Sequence, residues 1–162
     1  MDSNARAARE FLRHTVATVA YRGGKAIRGA PPAFAEFRPS PTSRSAGEIL
    51  AHVGDLFDWA LNLARGRKVW NDTKPGSWSG DSERLFRALE AFDAFLATDE
   101  TLATSAEKLF QGPVADALNH VGQIAMLRRM AGAAVKGENY FKADIAAGVV
   151  GADQPPPRAE FD

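Results

Sequence analysis

Four stretches of the chain repeat apolar residues at intervals of three or four, the spacing that places them on one face of an α-helix. No stretch alternates apolar and polar residues as a half-buried strand does. The pattern therefore predicts an all-α protein without a β-sheet. The four predicted helices cover about 4–22, 46–65, 82–97 and 112–134.

Local signals mark the ends of these helices. Ser45 and Glu48 have the spacing of a capping box, in which each side chain accepts a hydrogen bond from a backbone N–H at the start of a helix. Gly23-Gly24 weakens the first helix, and Pro31-Pro32 ends it. Pro113 suits the first position of the fourth helix, where a backbone donor is not needed.

A polar loop, 66–80, separates the second and third helices. Fifteen extended residues reach roughly 50 Å, whereas a 20-residue helix is about 30 Å long. The loop can therefore cross the whole length of the protein, which favours a four-helix bundle with a long crossover between helices two and three. The chain is predicted to be a single domain, 1–162. Its tail from about Gly148 is expected to be extended and to pack on the bundle or on a partner.

Composition removes several classes of function. The 162 residues include 20 Lys plus Arg and 20 Asp plus Glu, so no net charge favours nucleic acid or an anionic membrane. The chain contains no cysteine, which excludes disulfides, thiolate metal sites and a cysteine nucleophile. Its first residues lack the apolar segment of a signal peptide. We therefore expect a soluble, cytoplasmic protein.

The three histidines differ in their positions on the helical wheel. His14 lies opposite the apolar stripe of the first helix, which predicts a surface residue without a role in metal binding. His52 lies inside the apolar arc of the second helix. It is interpreted either as a metal ligand or as a core histidine that is hydrogen-bonded to a neighbour.

Asp116 and His120 are four residues apart, and thus one turn apart on the same side of the fourth helix. This spacing indicates either two metal ligands or an Asp–His hydrogen bond at a helix edge. Together with His52 they supply three ligands, as helix bundles do for metal ions. If Asp116 is not a ligand, Glu48 or Asp55 beside His52 is the alternative carboxylate. Gln123 is a candidate for orienting a bound water or ligand, or an exposed polar residue.

Several segments resemble the DinB-like superfamily of bacterial helical bundles, and the resemblance covers most of the chain. Residues 44–52, Arg-Ser-Ala-Gly-Glu-Ile-Leu-Ala-His, resemble the segment that carries the family's first histidine ligand. Residues 119–123, Asn-His-Val-Gly-Gln, are similar to its His-His-Arg-Gly-Gln segment, which carries the last one. Residues 139–145 and 151–155 resemble the C-terminal part of some members. The family usually has its middle histidine where this chain has Asp116.

The resemblance implies an up-down-down-up bundle, a homodimer and a divalent metal held by His52, Asp116 and His120. Zinc or nickel is expected, with iron or manganese as alternatives. Three protein ligands leave a coordination position for water or substrate.

The chain is therefore predicted to be a thiol transferase or a hydrolase that acts on a small molecule, for example a low-molecular-weight thiol. The alternative is a non-catalytic, stress-related bundle or dimerisation module with a structural metal or none. A non-haem iron oxygenase, suggested only by the ligand set, ranks last.

Overall fold

A computed structural model describes residues 3–161, and α-helices account for most of this part of the chain. No helix in it is both long and apolar enough to cross a membrane. The predicted domain, 1–162, extends at both ends beyond the described residues. The helices are α1 Ser3–Ile27, α2 Ala46–Ala64, α3 Trp78–Leu96, α4 Ala106–Leu109 and α5 Ala115–Met130. Short 3₁₀ turns cover Pro32–Glu36 and Tyr140–Lys142, and a π-helical turn, Phe110–Val114, joins α4 to α5.

Two short strands lie outside the helices. β1 Gly137–Glu138 pairs with β2 Glu160–Phe161 in an antiparallel arrangement. The expectation of no β-sheet is therefore wrong at this pair, because strands of two residues are too short to produce an alternating pattern. The prediction of a mostly helical protein is confirmed.

The four longer helices enclose one apolar core. Helix α2 packs against α3 and α5, and α1 packs against the same two helices. Arg9, near the start of α1, donates hydrogen bonds to the carbonyl oxygens of Phe95 and Leu96 at the end of α3. Trp78 at the start of α3 donates to the carbonyl oxygen of Ile27, the last residue of α1. These bonds go to carbonyl groups in the last turn of a helix, which lack the usual partner four residues later within that helix.

Helix α1 continues past the two glycines that the sequence marked as a weak point. A Cβ atom at Gly23 would lie 3.5 Å from Val121 of α5, and one at Gly24 would lie 3.6 Å from the Phe86 ring of α3. These are ordinary van der Waals distances, so α5 and α3 pack directly against this stretch of α1. This packing compensates for the low helix propensity of glycine.

Two predicted helix starts are also wrong. Helix α3 begins four residues earlier than expected because Ser77 caps it, its hydroxyl accepting a hydrogen bond from the N–H of Gly80 at 3.1 Å. The fourth predicted helix does not start at Pro113. That proline lies inside the π-helical turn, and the preceding helix α4 is capped by Ser105. The capping box at Ser45 and Glu48 is confirmed.

The C-terminal tail packs against the helices of its own chain. Val150 is only 4 % exposed and belongs to the core. Lys25 of α1 forms ion pairs of 2.8 Å with both Glu138 of β1 and Glu160 of β2. Tyr21 donates a 2.7 Å hydrogen bond to Glu138. The tail is thus held by apolar packing, by the ion pair of Glu160 with Lys25 and by the pairing of β2 with β1, whose Glu138 makes the buried polar contacts with α1.

Candidate metal centre

The structure brings His52 of α2 together with Asp116 and His120 of α5. Nε2 of His52 lies 3.6 Å from Oδ2 of Asp116, and Nε2 of His120 lies 3.6 Å from Oδ1 of the same carboxylate. One ligand atom from each residue lies within 4.8 Å of the other two. The three residues that the sequence singled out as ligands therefore form one cluster.

The donor atoms of this cluster fit a divalent ion. Two imidazole nitrogens and one carboxylate oxygen are ligands that zinc and neighbouring transition metals accept. Bonds of about 2.0–2.2 Å place the ligand atoms of a tetrahedral ion about 3.4 Å apart. The two 3.6 Å separations, to different oxygens of Asp116, are close to this value, and the 4.8 Å limit of the cluster requires the side chains to draw together around an ion. The Asp116 side chain is 47 % exposed, whereas those of His52 and His120 are 20 % and 13 % exposed. An ion bound here is thus reachable from solvent on the Asp116 side.

Gln123 sets the tautomer of the His120 ring. Its Oε1 lies 2.8 Å from Nδ1 of His120. With the amide oxygen facing the ring, Nδ1 carries the proton and donates to Gln123. The lone pair of a neutral imidazole then lies on Nε2, the nitrogen that faces Asp116. Such an outer hydrogen bond is typical of metal-bound histidine.

The two alternative carboxylates near His52 have other partners. Glu48 accepts a hydrogen bond from the N–H of Ser45 at 2.6 Å and pairs with Arg38 at 3.3 Å. Asp55 is 2 % exposed and pairs with Arg84 at 3.0 Å. Within residues 3–161, Asp116 forms no ion pair with a Lys or Arg side chain. Its carboxylate is therefore the one available to a metal ion.

The electrostatic surroundings keep His52 neutral. Partial burial lowers the pKa of His52, and the neighbouring His120 and Arg44 lower it further, while Asp116 acts in the opposite direction. The net pKa of His52 is below its ordinary value. Since a metal ion binds the neutral form of histidine, His52 is available as a ligand at neutral pH.

The loop between α2 and α3 forms one wall of the site, which sequence reasoning did not identify. The Trp70 ring lies edge-on to His52, with 5.5 Å between ring centroids, and 5.7 Å from Trp59. Thr73 donates two hydrogen bonds to Asp55, from its backbone N–H at 2.9 Å and from its hydroxyl at 2.6 Å. The buried carboxylate of Asp55 thus holds the loop against the site. The one sequence signal for this role was Trp70, an aromatic residue in a polar stretch.

His14 is exposed on α1 and is not part of the cluster, in agreement with its predicted surface position.

Two cavities flank the pair formed by His52 and His120. One, of about 200 Å³, is lined by His52, Thr73 and Arg44. The other, of about 480 Å³, is lined by His120, Gln123 and again Arg44. Only the cavity beside His120 reaches the roughly 300–1,000 Å³ that is typical of small-molecule sites.

Comparison of the chain with protein-family models, with curated proteins and with solved structures finds no match.

Proposed function

We propose that this protein is a divalent-metal-dependent enzyme, either a thiol transferase or a hydrolase, in which His52, Asp116 and His120 hold the ion. The observation that carries the proposal is the convergence of these three side chains, with their ligand atoms within 4.8 Å of one another. The hydrogen bond from His120 to Gln123 orients the His120 ring, and the lowered pKa of His52 favours the neutral form of that ligand.

We place this site in a four-helix bundle of the up-down-down-up type. Arg9 and Trp78 connect opposite ends of α1 and α3, which supports an antiparallel pair. The 3.0 Å Asp55–Arg84 ion pair and the nearby rings of Phe57 and Phe92 support parallel α2 and α3. The 65–77 loop then crosses the length of the bundle, as the DinB-like resemblance implies.

Each residue of the site has a defined task in this proposal. When bound, zinc or nickel would act as a Lewis acid and lower the pKa of a thiol or of water. Asp116 supplies negative charge to offset that of the ion. Gln123 holds a proton on Nδ1 of His120 and so fixes the ring orientation. The ring of Trp70 covers His52 and limits access of solvent to that ligand.

Elemental analysis of the full chain, purified without an affinity tag or a chelator, tests metal binding. We expect about one zinc or nickel ion per chain, with iron or manganese as the other candidates. The double variant His52→Ala/His120→Ala should lose the ion. His14→Ala, the control, should keep it because His14 lies outside the cluster. Folded protein that takes up no added zinc or nickel would contradict the proposal and favour the non-catalytic module.

Two assays separate the proposed reactions. The zinc- or nickel-loaded protein is given p-nitrophenyl acetate to measure ester hydrolysis, and 1-chloro-2,4-dinitrobenzene with L-cysteine to measure thiol transfer. The relevant activity should disappear in the double histidine variant and remain in His14→Ala. Protein that holds one metal ion per chain but shows neither activity would support the metal site and contradict the proposed hydrolase and thiol transferase reactions.

A further inference from the structure

The larger of the two cavities beside the histidine pair is an apolar groove with one fixed charge. Its floor includes the buried side chains of Ile49 and Leu127, and its rim includes Met126 and Met130, which are 58 % and 55 % exposed. Flexible methionine side chains are typical of surfaces that adapt to apolar ligands. The volume, about 480 Å³, is in the range of small-molecule sites.

Arg44 supplies the fixed charge of this groove. None of the other residues that line it is Asp, Glu, Lys or Arg. Within residues 3–161, no hydrogen bond or ion pair occupies the Arg44 side chain. By contrast, Arg38 nearby is paired with Glu48. A guanidinium group presents several N–H donors in a plane that matches a carboxylate. The groove therefore combines an apolar surface with an unpaired cation.

We propose that this groove binds a small carboxylate with an apolar body, the carboxylate pairing with Arg44 and the apolar body lying on Ile49, Met126 and Met130. Arg44 lines the cavities on both sides of the histidine pair. A ligand held by Arg44 in the groove also lies beside His120, which lines the same cavity. The inference deepens the proposed function by naming the substrate class of that site, but carboxylate binding itself requires no metal ion.

Methionine-methyl NMR on metal-free protein tests this binding directly. The chain has only three methionines, so the signals of Met126 and Met130 can be assigned with the variants Met126→Leu and Met130→Leu. The probes are hexanoate and 1-hexanol, which share an apolar body and differ in charge. We expect both signals to shift and saturate, with half-saturation at about fivefold lower concentration for hexanoate, as for an exposed ion pair. In 1 M salt this preference should shrink.

Substitution of Arg44 shows which residue carries the preference. Arg44→Gln should remove the preference for hexanoate and leave the affinity for 1-hexanol unchanged, whereas Arg44→Lys should retain part of it. The matched control is Arg129→Gln, because Arg129 is exposed on α5 and does not line the groove. Circular dichroism checks that each variant is folded.

Equal half-saturation for the two probes in the parent protein would overturn the proposal, as would an unchanged preference in Arg44→Gln. Zinc titration of the parent protein is a separate experiment. Protein that binds hexanoate with the expected preference but takes up no metal would contradict the proposed function alone. Protein that binds zinc but shows no preference for hexanoate would contradict the carboxylate site alone.

Discussion

Oε1 of Gln123 lies 2.8 Å from Nδ1 of His120, one helical turn away on α5. This bond assigns the ring proton to Nδ1 and leaves Nε2 for an ion. We expect Gln123→Ala to weaken zinc binding by about 10–100-fold, the usual effect of removing the hydrogen-bond partner of a metal-bound histidine. Gln123→Glu should preserve binding, because a carboxylate accepts the same hydrogen bond. Competition titration with a zinc-sensitive dye measures both, and equal affinity in Gln123→Ala and the parent would contradict this role.

Asp116 should be a direct ligand of the ion. Asp116→Ala leaves only two imidazole ligands. Zinc affinity should therefore fall by more than about 100-fold, the largest usual effect of removing a residue that only hydrogen-bonds to a metal ligand. Asp116→His should retain binding, since histidine supplies a nitrogen ligand at the same position. Asp116 is about half exposed, so neither variant should unfold, which circular dichroism verifies. If Asp116→Ala binds zinc as tightly as the parent, another group completes the site, although Glu48 and Asp55 are both paired elsewhere.

Asp55 should contribute strongly to stability through the loop that it holds. Asp55→Ala removes one of the two carboxylates paired with Arg84, the other being Asp58 at 3.3 Å, and two hydrogen bonds donated by Thr73. Because Arg84 keeps Asp58, we expect the loss in the free energy of unfolding to be about 3 kcal/mol, the lower end of the cost of breaking a buried ion pair. Thr73→Val removes only the hydroxyl bond and should cost about 1 kcal/mol. Urea denaturation followed by circular dichroism measures the difference, and equal losses in the two variants would show that the Arg84 pair contributes little.

The contacts that hold the tail predict a specific pH dependence. Burial acts to raise the pKa of Glu138, but hydrogen bonds from Lys25 and Tyr21 outweigh it, so the net pKa is lowered. An acid with a lowered pKa in the folded state stabilises the protein above its unfolded pKa of about 4.3, and this contribution is lost as the pH falls through the folded value. We expect the free energy of unfolding to decrease below about pH 4.3.

Glu138→Gln should flatten this acid-induced decrease, because a glutamine does not titrate. At pH 7 it should cost about 2 kcal/mol, because Lys25 loses a buried charged partner but keeps Glu160. The matched control is Glu83→Gln, whose carboxylate is exposed in a weak surface pair. Urea titrations at pH 7 and pH 3.5 compare the two variants, and parallel behaviour would contradict a special contribution of Glu138.

The homodimer implied by the DinB-like resemblance stays a prediction, and one surface suits it. Phe11 and Phe110 are 66 % and 40 % exposed and line a shared cavity of about 340 Å³ between α1 and the π-helical turn. Burial of such aromatic side chains favours association. We expect light scattering at micromolar concentration to give about twice 17.4 kDa, and Phe11→Asp to lower the mass. A parent mass near 17.4 kDa would contradict the dimer.

Local interactions explain which parts of the fold the sequence predicted. The Ser45–Glu48 capping box lies within four residues and defines the start of α2 correctly. The Asp116–His120 spacing likewise places two side chains on one side of α5 without reference to the rest of the chain. These features depend on helix geometry alone.

Contacts between distant residues explain what the sequence did not predict. Helix α1 passes Gly23 and Gly24 because Val121 and Phe86 pack against them. Trp70 reaches His52 because Asp55 holds Thr73 three residues later in the same loop. The ion pairs of Lys25 with Glu138 and Glu160 join segments more than 100 residues apart. None of these partners can be recognised from the local pattern of apolar and polar residues.

The π-helical turn at Phe110–Val114 sets the rotational phase between α4 and α5. Leu109 and Val114 are both fully buried, although they are five positions apart in the chain. Each residue of an α-helix advances by about 100°, so an uninterrupted helix without the extra residue would turn α5 by about that angle relative to α4. Asp116 and His120 would then no longer face His52. The π-helical turn thus allows Leu109 and Val114 to stay in the core while Asp116 and His120 face His52. Such turns are frequent at functional sites.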